Sequence, residues 1–541
     1  MSTNANLTPF CVLAYWHLSC SRWGVVVVGD RPVMQRKNPK LLGVSASLRN
    51  ARWGAGSRVL IESLNLLQTK EALLDFLREQ SEMHLENFVQ SGRKEGKAFS
   101  EIYDNLKKLS GDRGLSNSEV ALSAALWAAH RFGVDIEHLS LCNHFTPNGD
   151  VKHKEELAKK LLDADGLLVS GPVYFGDRGS LAENLLHFIA DNSELRQALS
   201  QKVYGGIAVG AKRNGGQETT LIYQMIDMLN LGYLAVGNDS DTTAQYGGTG
   251  IAGDVGAMIK DTYGLETCMG IGRRLGHVLN LLHDEHEIKD EPKVLFLILQ
   301  DAGGIAKKTV GQLVERVGSG ATINVVDVTD NDVKPCIACD ICPTHIGPDD
   351  EYRCIITSKN DALTRMHDQL LRHDMIVPVV VETKDRSKVT TVYQKFIERT
   401  RYLRRGDYVF SDLLVAPLVI EELGANCTLG MRIMTSFIRH HTVLTRPMVA
   451  HIVKGEMLDF DEVVQEMKEA LARSKKLIAG RLAHAETESI RKYNPVGYVL
   501  SADKDKEDQR MDKRREMVDS RSERLKAEAN LRLINVVAEE K

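Results

Sequence analysis

Along most of the chain, short apolar runs alternate with stretches whose apolar positions recur at helical spacing. The segment 161–189, LLDADGLLVSGPVYFGDRGSLAENLLHFI, shows the unit whole: an apolar run, a turn-rich aromatic loop, then an amphipathic helix. Runs that change from strand-like to helical periodicity across such loops predict a parallel sheet with helices on both faces.

The alternation occurs twice. KLLGVSAS at 40–47 opens the first copy and KVLFLILQ at 293–300 the second, while 370–397, LLRHDMIVPVVVETKDRSKVTTVYQKFI, answers 161–189. Each copy carries an aspartate before the strand (Asp165, Asp374), an Asp-Arg pair after it (Asp177-Arg178, Asp385-Arg386) and a later Phe-Ile pair (Phe188-Ile189, Phe396-Ile397). The opening strands lie 253 positions apart but the Phe-Ile pairs only 208, so the first copy holds about 45 extra residues. The helix-rich, charged segment near 70–115 supplies them, as a lid or an oligomer contact. The expected organisation is an N-terminal arm (1–38), a first α/β domain (39–282), a linker (283–292) that reads as exposed, a second α/β domain (293–480) and a charged tail (481–541).

Two segments at the ends need separate treatment. Residues 10–28 are apolar overall but contain His17 and Arg22 and follow no basic region, so neither a signal peptide nor a membrane span fits. They read as upstream sequence or a loosely packed arm, with Met34 a natural alternative start. In the tail, 17 of the residues 503–526 are charged, which predicts a solvated helix or a disordered segment. LRLINVV near its end is a segment that could dock on a neighbouring subunit.

Composition narrows the class. With 43% hydrophobic and 26% charged residues over 541 positions, the chain is long enough for two or three soluble globular domains. A formal net charge of -4 supplies no basic surplus for nucleic acid. Nine irregularly spaced cysteines make no secreted disulfide framework, so a cytoplasmic protein is expected.

Ligands of open parallel sheets sit beyond the carboxyl ends of the strands, and three first-copy loops belong there. In VSASLRNARWGAGS, Ser45, Ser47 and Arg49 offer hydroxyls and a guanidinium beside a helix start, which suits a phosphate monoester. The alternative is a serine-rich helix cap. The spacing is neither that of a nucleotide-triphosphate loop nor of the dinucleotide fingerprint. The second loop is Pro172-Val173-Tyr174-Phe175. The third, Asn214-Gly215-Gly216-Gln217, has glycines that let backbone amides approach a planar ligand, and Tyr246 follows in another glycine-bounded stretch. His144, after a further strand, reads as a surface histidine, with protonation of a substrate as the alternative.

Together, GVSASLRN, SGPVYFGDRGSLAENLLHFI and GAKRNGGQETT, in that order, resemble the flavodoxin-like NAD(P)H-dependent FMN reductases over residues 39–282 apart from the insertion. The resemblance implies two tandem flavodoxin-like doubly wound domains. It implies that Ser45, Ser47 and Arg49 hold the FMN phosphate and that Pro172, Val173, Tyr174 and Phe175 pack along the isoalloxazine. Asn214, Gly215, Gly216 and Gln217 would meet its polar edge. Hydride would pass from NAD(P)H to the flavin and onward to a small acceptor, with no catalytic side chain required. Two other readings stay open: an electron-transfer protein serving a redox partner protein, and a non-catalytic scaffold. Family members pair as dimers with flavins near the interface, so a homo-oligomer is open too, or the second copy supplies that surface within one chain.

The second copy lacks the serine pair and arginine and is not expected to bind FMN. It carries Cys336, Cys339, Cys342 and Cys354 instead. Three cysteines at successive two-residue gaps with Pro343 behind the third match the spacing of a bacterial ferredoxin run, which predicts a [4Fe–4S] cluster. Iron–sulfur flavoproteins of the same superfamily carry a compact cysteine motif at this place. Zinc and plain thiols are the alternatives.

Overall fold

In a computed structural model of the chain, the described residues are 23–27, 32–36, 38–48, 55–108, 114–146, 148–239, 244–329, 332–339, 354–425, 428–454, 456–485 and 504–534. Two compact units emerge, the first ending at Asn38. In it, β1 (Trp23–Val27) pairs antiparallel with β2 (Pro32–Arg36).

From Pro39 onward the chain forms a single unit rather than two. Its first half begins with β3 (Lys40–Ser45), followed by α1 (Ala55–Leu66), α2 (Lys70–Gln90), α3 (Phe99–Lys108) and α4 (Asn117–His130). Next come β4 (Asp135–Ser140), α5 (Lys154–Asp163), β5 (Gly166–Tyr174), β6 (Asp177–Arg178), α6 (Ser180–Ala190) and α7 (Ser193–Leu199). The half closes with β7 (Val203–Gly210), α8 (Gln217–Asn230), β8 (Leu234–Val236), β9 (Gly248–Ile251) and the long α9 (Thr262–His283). The second half runs β10 (Lys293–Asp301), α10 (Ile305–Val317), β11 (Thr322–Asp327), α11 (Ala362–Leu371), β12 (Met375–Glu382) and β13 (Thr390–Thr391). There follow α12 (Tyr393–Arg399), α13 (Arg401–Asp407), β14 (Leu414–Val415), β15 (Leu418–Glu422), α14 (Leu429–Phe437), β16 (Val443–Leu444), β17 (Met448–Val453) and β18 (Glu456–Met457). Helices α15 (Phe460–Ala483) and α16 (Lys504–Arg532) end it.

Parallel pairing gives the order β4-β3-β5-β7-β8 in the first half and β11-β10-β12-β15-β17 in the second. One antiparallel contact, β8 with β16 (Val236 opposite Val443, Ala235 opposite Leu444), fuses the halves into a continuous sheet of 16 strands among the described residues. Strand residues alternate faces, and β10 shows the consequence. Val294, Phe296 and Ile298 enter one apolar cluster; Leu295, Leu297 and Leu299 enter the other. Each cluster runs through both halves, so the interior strands are buried on both faces, while the edge strand β11 is largely exposed.

The two aspartates ahead of β5 and β12 do the same work. Asp165 accepts the backbone N–H of Lys40, and Asp374 that of Lys293, each at 2.9 Å. Each thereby ties the start of its half's first strand to the strand beside it.

The seam holds a buried charge. Arg274 of α9 and Asp412, ahead of β14, are both almost fully buried and form an ion pair. Arg274 also donates to the carbonyl of His441, and His277 meets the other Asp412 oxygen at 3.1 Å.

The charged tail departs from the sequence expectation. Helix α16 packs Leu525, with Leu533 just beyond its end, against Ile478, Leu482 and Ala485 of its own chain. Arg532 places both terminal nitrogens on Asp374 (2.9 and 2.7 Å) and its Nε on Asp290 (2.9 Å). Linker residues Ile288 and Lys289 bond the backbone at Leu533 and Arg532, so the linker is tied to the tail although Glu285, His286, Glu287, Lys289 and Asp290 are exposed, as expected. Among the described residues no helix is long and apolar enough to cross a membrane.

His440 carries a pH prediction. Burial, reinforced by Arg404 and Arg439, pushes its pKa down to about 3. It folds uncharged, whereas the unfolded chain takes up its proton near pH ~6.5. The contribution is therefore complete above ~6.5 and is lost as pH falls toward 3, with a slope of ~1.4 kcal/mol per pH unit. Urea unfolding between pH 7 and 4.5 should show a shallower acid loss in His440→Asn than in wild type. Equal slopes would mean that His440 does not titrate on unfolding.

Candidate functional site

β3, β5 and β7 are neighbours in the sheet, so the loops at their carboxyl ends converge. Ser45 ends β3, fully buried, directly opposite Ser140 of β4 and Ser170 of β5. The chain then turns along β5: Ala46 N–H donates to the Ser170 carbonyl at 2.8 Å, and a Cβ on Gly171 would lie 3.3 Å from that of Ala46. Ser47 is buried and Leu48 half exposed. Arg49 lies outside the described residues.

The second loop is a tight hairpin. β5 pairs antiparallel with β6, Val173 opposite Arg178 and Tyr174 opposite Asp177. Phe175 and Gly176 between them have φ of 54° and 83°. Positive φ at both central residues is the two-residue hairpin turn whose twist matches its strands. Glycine adopts that conformation freely, but an aromatic residue pays for it in strain. Phe175 nevertheless stands fully exposed at the tip, with Tyr174 half exposed beside it. Arg178 anchors the hairpin on Glu183 and Asp227, both at 2.6 Å.

The third loop meets that hairpin backbone to backbone. Gly216 has φ of 101°, and a Cβ there would fall 2.6 Å from Gly176 Cα. Asn214 and Gly215 are exposed on the same loop. Gln217 behaves otherwise than expected. It is buried, accepts the Gly215 N–H at 2.8 Å and donates to the carbonyls of Lys212 (2.8 Å) and Gly250 (3.2 Å). Its amide is spent shaping the loop from within, so it braces the cradle instead of presenting a polar edge to a ligand.

A support below the first loop was missed in the sequence. Ser57, in the first turn of α1, is hydrogen-bonded to His138 Nδ1 at 3.0 Å, and Glu119 lies 3.8 Å from His138 Nε2. Glu119 is held by a capping box with Ser116 at the start of α4. The serine following Gly56 at a helix start was a legible signal; its partners, about eighty and sixty positions away, were not. His144 is a correction. It is buried at the end of β4, because the loop folds back through Phe145 and Val151, and burial lowers its pKa. It is no surface histidine.

These residues fit FMN. Two buried serines stand at the end of β3, ahead of α1, Asn214 and Gly215 are exposed on the third loop, and an exposed aromatic pair stands on the hairpin that this loop touches. The equivalent place in the second half is filled by the protein's own anion. The Asp301 carboxylate at the end of β10 accepts the N–H groups of Ala302 (2.7 Å) and Ala306 (2.8 Å), the latter in the first turn of α10. A phosphate would meet a carboxylate there.

Cys336 and Cys339 follow β11 on one loop, where Cys336 Sγ accepts the Ala338 N–H at 3.4 Å. Cys354 is partly buried against the second apolar cluster, and Cys342 lies outside the described residues. Among the described residues no three metal-ligating side chains come together. The donors present are thiols, the chemistry that iron–sulfur clusters and zinc both take.

Comparison with known proteins finds flavoprotein relatives. The family model for NADPH-dependent FMN reductase matches residues 109–240. An iron–sulfur flavoprotein of Methanocaldococcus jannaschii is 35% identical over 182 residues, covering 92% of that protein and 31% of this chain. An NAD(P)H dehydrogenase (quinone) of Caulobacter vibrioides is 32% identical over 136 residues, covering 67% of that protein and 23% of this chain. The solved flavodoxin, WrbA-like protein from Agrobacterium tumefaciens aligns over 29% of this chain and 87% of its own, at 18% identity and a TM-score of 0.23.

Proposed function

We propose that this chain, which belongs to the family of NADPH-dependent FMN reductases and iron–sulfur flavoproteins, is an FMN-dependent NAD(P)H oxidoreductase that passes electrons to a small acceptor. The observation that carries it is the contact between the Gly216 and Gly176 loops below an exposed Tyr174-Phe175 pair, beside the serine-lined end of β3. Bound flavin would accept hydride from the reduced nicotinamide and release its electrons in pairs or singly. Ser45, Ser47 and Arg49 would hold the phosphate; Pro172, Val173, Tyr174 and Phe175 would cover the ring; Asn214 and Gly216 would meet its edge, with Gly215, its N–H taken by Gln217, letting the ring approach closely. Gln217 and Arg178 keep these loops in place.

The matched strand orders and the paired Asp165 and Asp374 clamps support reading the chain as two copies of one flavodoxin-like unit. The second copy, with Asp301 in its phosphate position, serves as a partner surface for the first. A second reading, electron delivery to a partner protein, is favoured by the Cys336–Cys339 loop. There Cys336, Cys339, Cys342 and Cys354 would hold a [4Fe–4S] cluster.

An absorption spectrum taken without oxygen tests both. Flavin bands and oxidation of NADPH with small acceptors are expected; protein that stays colourless after FMN is added overturns the flavin reading. Iron and sulfide at about four each per chain, lost in Cys339→Ser, are expected for the cluster. Reconstitution that leaves no iron bound would end that part alone.

A further inference from the structure

At the seam, away from the flavin loops, lies a cleft of about 420 Å³. One wall is α7 with Ser193 and Arg196, and Ser200 just beyond its end, from the first half. The opposite wall is the face of α15 carrying Glu466, Glu469 and Arg473, from the second. Leu231 and Gly232, just ahead of β8, and Met448, the first residue of β17, close it. It therefore opens at the amino-terminal end of β8, whereas the flavin loops leave the carboxyl ends of β3, β5 and β7, which run parallel to β8.

The charges in the cleft are not balanced internally. Three arginines face two glutamates. Arg446 and Glu466 satisfy each other. Arg473 is buried, with one terminal nitrogen on Thr445 (2.8 Å), the other 3.5 Å from Glu469, and its Nε without a hydrogen-bond partner. Arg196 makes no ion pair among the described residues. Burial lowers the Arg473 pKa, against the pull of Glu469 and with the push of Arg446. At 3.5 Å the contact with Glu469 is long for a charge-assisted hydrogen bond, so that terminal nitrogen of a buried guanidinium is incompletely satisfied.

We propose that this cleft is a second ligand site, for a small molecule carrying a phosphate group. A guanidinium fork matches phosphate geometry, and Arg196 and Arg473 come from opposite walls. The volume exceeds what a bare ion needs and falls in the range of small-molecule pockets, ~300–1,000 Å³. Because the walls belong to different halves, an occupant ties the halves together at an edge that the β8–β16 contact leaves open.

Calorimetric titration of the full chain, loaded with FMN and freed of excess so that the flavin cradle is filled, with inorganic phosphate and with glycerol 3-phosphate tests this. Saturable binding at one site per chain is expected, tighter for the ester. Arg196→Gln and Arg473→Gln should each weaken it at least tenfold, while Ser47→Ala, in the flavin cradle, leaves it unchanged. Arg196 is exposed, so its variant remains informative if Arg473→Gln fails to fold. Binding of inorganic phosphate alone would mean an ion site and overturn the small-molecule assignment. No saturable binding, or binding lost in Ser47→Ala but kept in both arginine variants, would overturn the site altogether.

Discussion

Replacing Gly216 with valine should empty the flavin cradle while leaving the protein folded. At φ of 101° a side chain is strained whatever the space, and here the new Cβ would sit 2.6 Å from Gly176 Cα. The strain of a left-handed β-branched residue, ~1–2 kcal/mol, adds to an overlap that only separation of the two loops relieves. A loss of ~2–4 kcal/mol in FMN affinity follows, roughly thirty- to a thousandfold, read by flavin fluorescence on titration. Gly176→Ala is the control. Its φ is 83°, but nothing lies within 4 Å of the added carbon, so only backbone strain of ~1 kcal/mol applies. Equal effects of the two changes would mean that the contact between the loops does not shape the site.

Asp412→Asn should destabilise the whole unit by ~3–5 kcal/mol, the cost of leaving the buried Arg274 guanidinium uncompensated. Asparagine tolerates the positive φ of 64° at this position, so the change tests charge rather than backbone. Adding Arg274→Met should recover much of the loss, because removing both charges leaves neither buried alone. Urea unfolding followed by circular dichroism measures each variant. A loss below ~1 kcal/mol in Asp412→Asn would show that water reaches the seam and screens the pair.

The α/β class with a parallel sheet was legible because its signals are local. Strand periodicity, turn residues and helix spacing act within about ten positions, so 161–189 announced strand, loop and helix before any packing was known. The loop residues were legible for the same reason: the glycines at 215 and 216 and the hydroxyls at 45 and 47 are unusual at strand ends. Their exact duties were less so. Gln217 looks like any exposed amide in sequence, and its bonds to Gly215 and Lys212 of its own loop and to Gly250 of β9 turn it inward.

What sequence by itself determined, then, is the order of elements and the chemistry each loop carries. Tertiary structure alone decided which distant surfaces meet. The β8–β16 seam joins edges more than two hundred positions apart, Arg274 finds Asp412 across 138, and Arg532 finds Asp374 across 158. In each case the residue's nearest chain neighbours carry no trace of its partner. A charged residue reads as solvated, because most are, until folding brings a complementary surface over it. The tail looked solvated and His144 looked exposed for that one reason: burial belongs to the packed chain, not to the residue.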